Sequence, residues 1–471
     1  MSPDDFIISI ASSPRAHLIG IGGAGMRAVA EVLVEQGWKV TGSDTSSDVI
    51  EPLGRLGVIV HQGHTADNVP DDVQLVVQSD AVANSNVERL RAVTLGAPTL
   101  RYVEMLARLS EKQCSLAVAG THGKSTTTAM AGQILTAAQL DPTVVCGATP
   151  IGQVTGGRAG RGDHVLVEAC EYRQNFLQLR PEIAVVTGVE ADHFDCYESL
   201  AEVETAFAEF AQRLPVHGML LVHAGCPTAM RASAQAACRR VMFGLEPGVD
   251  WRATALVSHR GHYQFKIWRH GQPLSEVTLQ VPGRHNVLNA LAAAALAYEA
   301  GAPADSIGPA LSQFAGLRRR LETISLPQDV TLIDDYAHHP TEITAALAAV
   351  REMYLGQRIW CIFQPHRALR TACLLDELAD SLQNADRLVV ADIFRAREGS
   401  PQAGEVTAAK LAASAAWRGA EVIDEHELLE IAETLRREVA PGEVIVTMGA
   451  GDLWKIHNEL AKGFQIVRAA G

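Results

Sequence analysis

Lys124 and Ser125 stand side by side, just after Gly120 and Gly123 and ahead of three threonines at 126–128. A lysine there offers a point charge to the outer phosphates of a nucleoside triphosphate, and a neighbouring hydroxyl can ligate the accompanying magnesium ion. Glycines in a turn leave backbone N–H groups free to face an anion, and a helix starting there adds the positive end of its dipole. The general phosphate-loop spacing would put one more glycine at position 118, which is Val118 in this chain. A glycine-rich turn before an ordinary helix is the plain alternative, but it leaves Lys124 without a task. The residues at 120–126 (Gly120, Thr121, His122, Gly123, Lys124, Ser125 and Thr126) are therefore expected to bind ATP.

Two further stretches could complete that chemistry. Glu168-Ala169-Cys170-Glu171-Tyr172 and Glu190-Ala191-Asp192-His193-Phe194-Asp195 each follow a short β-branched run. A carboxylate such as Glu168 and an imidazole such as His193 suit one or two magnesium ions beside ATP. Taken alone, His193 would be read as a structural histidine; the phosphate loop upstream changes that reading. Arg318-Arg319-Arg320 looks like a solvated charge run in isolation, yet at a domain junction an arginine can meet a γ-phosphate when domains close. Near the N-terminus, Gly20, Gly22 and Gly25 fit the G-x-G-x-x-G spacing, with Asp44 about 20 residues on. That pattern points to a diphosphate ligand and leaves open whether it is NAD, FAD or a UDP-sugar.

The elements that would position these groups alternate strand and helix along the chain. A strand at 116–119 feeds the phosphate loop, and a helix runs on through Gln133 and Leu135. A strand at 17–19 and another at 38–41 flank the glycine fingerprint, a helix is expected at 87–95, and a charged helix at 105–113 leads to the next domain. Runs at 143–145, 165–168 and 183–186 read as parallel strands buried on both faces, whose C-terminal ends gather ligands. The segment 251–279 alternates and turns at His270-Gly271, which is a hairpin signal. An Ala-rich helix follows residues 282–289 as far as Tyr298. Strands at 331–335, 359–363, 387–390 and 444–447, with a helix from Pro340, repeat the pattern. The fold class is thus α/β in three domains: Rossmann-like over 1–110, a P-loop ATPase-like parallel sheet with an added β-hairpin region over 111–318, and Rossmann-like again over 319–471.

Bulk properties agree with three domains, since 471 residues exceed one ordinary core. A hydrophobic content of 47% with 20% charged residues is that of a soluble globular protein. No apolar run reaches the ~18 residues of a membrane span. The N-terminal stretch 1–15 carries acids where an export signal needs bases. Eight cysteines without CxxC pairs indicate reduced thiols and a cytoplasmic location. A formal net charge of −14 speaks against nucleic acid as a partner, so anionic ligands need local basic clusters.

In this order the motifs resemble the Mur ligase family over essentially the whole chain. They are GIGGAGM at 20–26 with Gly42-Ser43-Asp44, GTHGKSTT at 120–127, E-A-x-E at 168–171, E-A-D-H at 190–193, GxHNxxNA at 283–290, DDYxHHPTE at 334–342, FQPHR at 363–367 and MGAGD at 448–452. Within the family, GIGGAGM and the DDYxHHPTE and FQPHR pair are most similar to the branch that joins L-alanine to UDP-N-acetylmuramate in peptidoglycan synthesis. A branch ligating a murein tripeptide in cell-wall recycling shares the first half but usually lacks FQPHR.

The resemblance implies ATP and Mg2+ as cofactors, UDP-N-acetylmuramate and L-alanine as substrates, no nucleic-acid or membrane partner, and a monomer or homodimer. It implies that the first domain holds the UDP-substrate, the second ATP and the third the amino acid. By the same resemblance Lys124 would hold the β- and γ-phosphates, Ser125 with Glu168 one magnesium, and His193 a second. His285 and Asn289 match an ATP-side motif, Asp335 the ribose neighbour, and Arg320, with Arg319 next, the phosphate-clamping arginine. Tyr336, His338, His366, Arg367 and Arg370 would surround the amino acid, with His338 or His366 as base for its amine. Gly22, Gly23, Gly25, Met26 and Asp44 would face the UDP moiety.

Three positions depart from the family pattern. Cys170 stands where many members have Asp, Ala368 where Tyr is common, and Ala337 where Gly is frequent. The second change loosens the expected amino-acid pocket and could admit glycine or serine. No counterpart of the carbamylated lysine of sister ligases is evident near His193. Two readings from other classes compete: a dinucleotide-dependent oxidoreductase with no use for Lys124, and a nucleotide-binding regulator that hydrolyses no ATP.

Overall fold

The computed structural model describes residues 13–111, 113–396 and 398–463, so most of the stretch read above for an export signal, 1–12, lies outside the described residues. Three separate sheets organise the chain. The first has five strands in the order Ile59–Gln62, Lys39–Asp44, Arg15–Ile19, Leu75–Gln78, Thr99–Arg101, all parallel. Its first strand has later strands on both sides, so the glycine loop after Ile19 opens at a topological switch point, where α/β sheets take ligands. The strand expected at 38–41 continues to Asp44. The helix expected at 105–113 instead spans Tyr102–Ser110, and that at 87–95 spans Val87–Leu95.

The second sheet has ten strands. Cys114–Ala119 lies at its heart, paired in parallel with His164–Glu168 on one side and Ile183–Val186 on the other. Register sets Val118 opposite Glu168 and Ala119 opposite Val186. The loops leaving all three strands therefore open at one edge, which is why groups 40 to 70 residues apart in sequence meet. Leu116, Ala117, Val118 and Ala119 are fully buried, as a strand covered on both faces requires.

At the far edge of this sheet the alternating segment forms three strands, Trp251–His259, His262–Arg269 and Gln272–Pro282, where one hairpin turn was expected. The extra turn is Arg260-Gly261, with φ of 48° and 77°, alongside His270-Gly271 with 46° and 75°. Positive φ at both central residues is the twist a two-residue hairpin needs. Arginine is an uncommon first residue of such a turn, so the signal was easily overlooked. Helix Arg284–Glu299 carries a run of alanines, 292–295, with no exposed surface, and lies against helix Lys124–Ala137 behind the phosphate loop.

The third sheet orders its strands Glu322–Ser325, Thr331–Asp335, Val444–Met448, Ile359–Phe363, Arg387–Val390, Val422–Ile423; only the first runs antiparallel. Asp335, Phe363 and Met448 end three neighbouring strands, so the motifs that follow them share one rim. All eight cysteines are free thiols. No helix among the described residues is long and apolar enough to cross a membrane.

Candidate active site

Backbone geometry shapes the phosphate loop. Gly120 has φ of +135°, and a Cβ there would strike the Thr187 hydroxyl. Gly123 caps the following helix in the left-handed region at φ +78°, where a Cβ would strike Asn289 Oδ1. The loop is tied down by Thr121 N–H donating to the Gly188 carbonyl at 2.9 Å. Asn289 lies beneath it, accepting from Thr127 Oγ1 at 3.4 Å and donating to Asn286 Oδ1 at 2.9 Å. Without such glycines the backbone could not curl tightly enough to present its N–H groups.

Lys124 Nζ donates to the Gly120 carbonyl at 2.5 Å and lies 2.9 Å from Glu171 Oε2. Burial works against its charge, but Glu171 more than compensates and holds the ammonium above its ordinary value. Ser125 Oγ donates to Glu168 Oε1 at 3.0 Å, while Glu168 Oε2 accepts the Gly147 N–H at 2.7 Å. A hydroxyl beside a carboxylate is a hard oxygen pair that suits magnesium. His193, at φ 54°, points its Nε2 to within 3.5 Å of Glu171 Oε1. Cys170, Glu171 and His193 offer donor atoms within 4.8 Å of one another, a second place for a cation. The sequence signals Glu171 only through the E-A-x-E motif, which by itself assigns it no role.

From the C-terminal domain comes the opposite wall. Arg320 places its guanidinium 5.2 Å from the centre of the Tyr336 ring and 3.9 Å from Glu342 Oε1. Arg319 turns to its own domain instead, donating to the Gly449 carbonyl at 2.6 Å and lying 3.5 Å from Asp334. Asp335 accepts N–H groups from Leu321 and Ala337, each at 2.7 Å, and burial pushes its carboxyl up to about 6. His338 and His366 sit with ring centres 6.0 Å apart. Burial pushes His338 down to about 4, with the cation of Arg370 adding to the effect against Glu342. Burial, then His338, Arg370 and Arg367, push His366 down to about 3. Both imidazoles are thus neutral near pH 7.

Two of the expected amino-acid ligands have partners inside the protein. Arg370 Nε lies 2.8 Å from Asp192 Oδ1 and its Nη1 3.0 Å from His366 Nδ1. Arg367, at φ 71°, lies 2.8 Å from Asp195 Oδ1, which also accepts on its other oxygen from Tyr172 OH at 3.0 Å. The sequence assigns no role to Asp192 or Asp195, since nothing local to them announces a partner some 170 residues away.

Two cavities join these walls. One of about 450 Å³ is lined by His122, Gly123, Ser125, Thr126, His285, Asn289, Arg320 and Asp335 among others. The other, of about 1100 Å³, is lined by Lys124, Ser125, Glu168, His193, Arg320, Tyr336, His338, His366, Arg367 and Arg370. Ser125, Gly123 and Arg320 border both. A triphosphate running from one into the other would pass the phosphate loop. The N-terminal domain contributes Ala24 and Arg27 to the larger cavity. The glycine loop lies just before them: Gly22 N–H donates to Asp44 Oδ2 at 2.8 Å, Gly25 leaves room for the Tyr102 hydroxyl, and Met26 is buried. Gly23 stays exposed at the loop's tip.

Comparison with known proteins covers the same three units. Residues 15–113 match the Mur ligase family catalytic domain, 118–297 the Mur ligase middle domain, and 319–451 the Mur ligase glutamate ligase domain. The UDP-N-acetylmuramate–L-alanine ligase of Clostridium novyi (strain NT) is 38% identical over 448 residues, covering 94% of this chain and 96% of its own. That of Chlorobaculum tepidum is 38% identical over 451 residues, covering 95% and 94%. Among solved structures, the UDP-N-acetylmuramate-alanine ligase of Thermotoga maritima superposes with a TM-score of 0.80 at 28% identity, covering 95% of this chain and 98% of that one. With matches spanning all three domains, the chain belongs to the Mur ligase family.

Proposed function

We propose that this chain is an ATP-dependent ligase that joins L-alanine to the lactyl carboxylate of UDP-N-acetylmuramate in peptidoglycan precursor synthesis. The observation that carries this reading is the meeting, around one cavity, of Lys124, Ser125 and Glu168 with His338, His366 and Arg367 from the other domain. The relatives named above supply the substrate assignment.

A carboxylate resists attack by an amine until one of its oxygens becomes a leaving group. In the proposed reaction that oxygen attacks the γ-phosphorus, the bond to the β-phosphate oxygen breaks, and ADP departs. The alanine nitrogen then attacks the acyl-phosphate carbon, and collapse of the tetrahedral intermediate expels phosphate and leaves the amide. Three anionic partners must be held together, so the protein's work is charge compensation and positioning.

In this assignment Lys124 and the 120–126 loop cradle the β- and γ-phosphates, and Arg320 clamps the γ-phosphate from the C-terminal domain. His285, Asn289 and Asp335 flank the nucleoside side. Magnesium would be held by Ser125 with Glu168, and by His193, and would screen the phosphate charge. His338 or His366 is assigned as base for the alanine ammonium, a role in which the negative charge of the bound substrates must offset the burial that depresses both imidazoles, while Tyr336, Arg367 and Arg370 border the amino acid. Gly22, Gly23, Gly25, Met26 and Asp44 form the UDP-substrate end. Free thiols fit a cytoplasmic setting.

The test is a substrate panel. Purified protein with ATP, magnesium, UDP-N-acetylmuramate and L-alanine should release ADP and phosphate and form the alanyl product, and omission of alanine should abolish it. Ligation of a tripeptide with free alanine inert would overturn the assignment in favour of cell-wall recycling.

A further inference from the structure

On the wall of the smaller cavity, where the 120–126 loop meets the C-terminal domain, lies a cluster that includes His122, Glu190 and Glu342. His122 and Glu190 come from the middle domain, His339 and Glu342 from the start of helix Pro340–Met353. His122 Nδ1 lies 3.1 Å from Glu342 Oε1. Its other nitrogen, Nε2, is buried, has no hydrogen-bond partner, and lies 3.5 Å from Glu190 Oε2. His339 mirrors this arrangement. Its Nε2 lies 3.2 Å from the Ala191 carbonyl oxygen, and its Nδ1 lies 3.7 Å from the same Glu190 oxygen.

Each imidazole therefore has one nitrogen held by an acceptor and the other turned toward Glu190. That is the arrangement by which a carboxylate or carbonyl fixes the tautomer and orientation of a metal-ligating histidine. One donor atom from each of His122, Glu190 and His339 lies within 4.8 Å of the others. Bonds of about 2.0–2.1 Å to a tetrahedral zinc ion would set ligand atoms roughly 3.3–3.4 Å apart, so small side-chain shifts suffice. Thr341 Oγ1 already holds Glu190 Oε2 at 2.6 Å, and the Thr341 N–H contact to His339 Nδ1, at 3.3 Å, is the one weak bond an ion would displace. Two nitrogens and an oxygen suit a borderline ion better than magnesium, which prefers oxygen alone.

We propose that His122, Glu190 and His339 form a binding site for one divalent ion of the zinc class, distinct from the magnesium positions at Ser125, Glu168 and His193, and oriented by Glu342 and the Ala191 carbonyl. Because its ligands come from both domains, the ion pins the C-terminal domain to the phosphate loop.

The test uses the full-length protein, stripped of metal with a chelator and titrated with Zn2+ without nucleotide, by calorimetry and X-ray absorption. One zinc per chain with a nitrogen and oxygen shell is expected. Glu190→Gln and His339→Ala should each weaken binding by about tenfold or more, and Glu342→Gln should do so by about tenfold through the orientation of His122. Cys170→Ser should change nothing. Absent stoichiometric binding, an affinity unchanged in Glu190→Gln, or a sulfur neighbour lost in Cys170→Ser would each overturn the proposal; the last would move the ion to Cys170, Glu171 and His193. Glu190→Gln keeps both atoms of the cap that His339 gives its helix, so the result stands even if His339→Ala fails to fold.

Discussion

Arg370 of the C-terminal domain and Asp192 of the middle domain form a buried ion pair, with Nε and Nη2 at 2.8 and 2.7 Å from Asp192 Oδ1. Their side chains are only 8% and 7% exposed, so the charges have little water to fall back on. The pair therefore joins the two domains at the rim of the larger cavity. Burial resists the charge on Asp192, but Arg370 outweighs it and holds the carboxyl well below its usual range.

Removing one partner strands the other. Asp192→Ala is expected to cost about 3–5 kcal/mol, the usual penalty for an uncompensated buried charge. The double variant Asp192→Ala with Arg370→Met should recover much of that loss, because both charges leave together. Denaturant unfolding of the single and double variants checks this. A double variant as unstable as the single one would show that the pair is not the source of the effect.

Lys124 presents a related case inside one domain. Its ammonium is already compensated by Glu171, so phosphates bound as proposed above would compete with a carboxylate for the same charge. Lys124→Ala should lower Tm, because it strands the buried Glu171 carboxylate at a cost of about 3–5 kcal/mol, and the variant that still folds should show kcat lower by about a hundredfold to a thousandfold or more. Steady-state kinetics of phosphate release measures it. Activity within tenfold of the parent protein would remove Lys124 from the reaction.

The setting of the 120–126 loop was legible in the chain, because strand, turn and helix are local neighbours and local order is what a sequence displays directly. Fold class was legible for the same reason: short β-branched runs ending in polar residues recur along all three domains. The pairing of Asp192 with Arg370 was not, since 178 residues separate them and either would serve as a surface charge. The preference for Arg320 over Arg319 rests on resemblance alone, and only the fold shows Arg319 engaged by the Gly449 carbonyl. The missed turn at Arg260-Gly261 shows the opposite limit, where backbone twist overrode residue preference.

Arg367 tests the amino-acid end of the cavity. It pairs with Asp195 at 2.8 Å and with Glu398 more loosely at 3.6 Å, and it is 22% exposed. A partly open guanidinium can shift from a protein carboxylate to a substrate carboxylate at little cost. Arg367→Ala should raise the KM for alanine about tenfold or more, the worth of a charge-assisted hydrogen bond, and that for ATP far less. Equal changes in both would refute its place beside the amino acid.

The N-terminal domain carries a buried carboxylate of its own, and it makes a prediction about acid stability. Glu88 has no exposed surface and accepts from Ser43 Oγ at 2.5 Å, Asn68 Nδ2 at 2.7 Å and His64 Nδ1 at 2.9 Å. Burial raises its pKa, but the His17 imidazole 3.8 Å away and the hydrogen bonds from Ser43, Asn68 and His64 outweigh that and bring it to about 2 from an ordinary 4.5. A carboxyl depressed in the folded state contributes its full stability above the unfolded value and loses it as pH falls toward the folded one. The parent protein should therefore exceed Glu88→Gln in stability at pH 7 by about 1–3 kcal/mol, the cost of disrupting a buried hydrogen-bonded group. Between pH 4.5 and pH 2 that difference should shrink, because protonation makes the parent residue resemble the amide. Thermal unfolding of both proteins across this range is the measurement. A difference that stays constant with pH would mean that Glu88 is not ionised in the fold, and that its four partners hold a neutral acid instead.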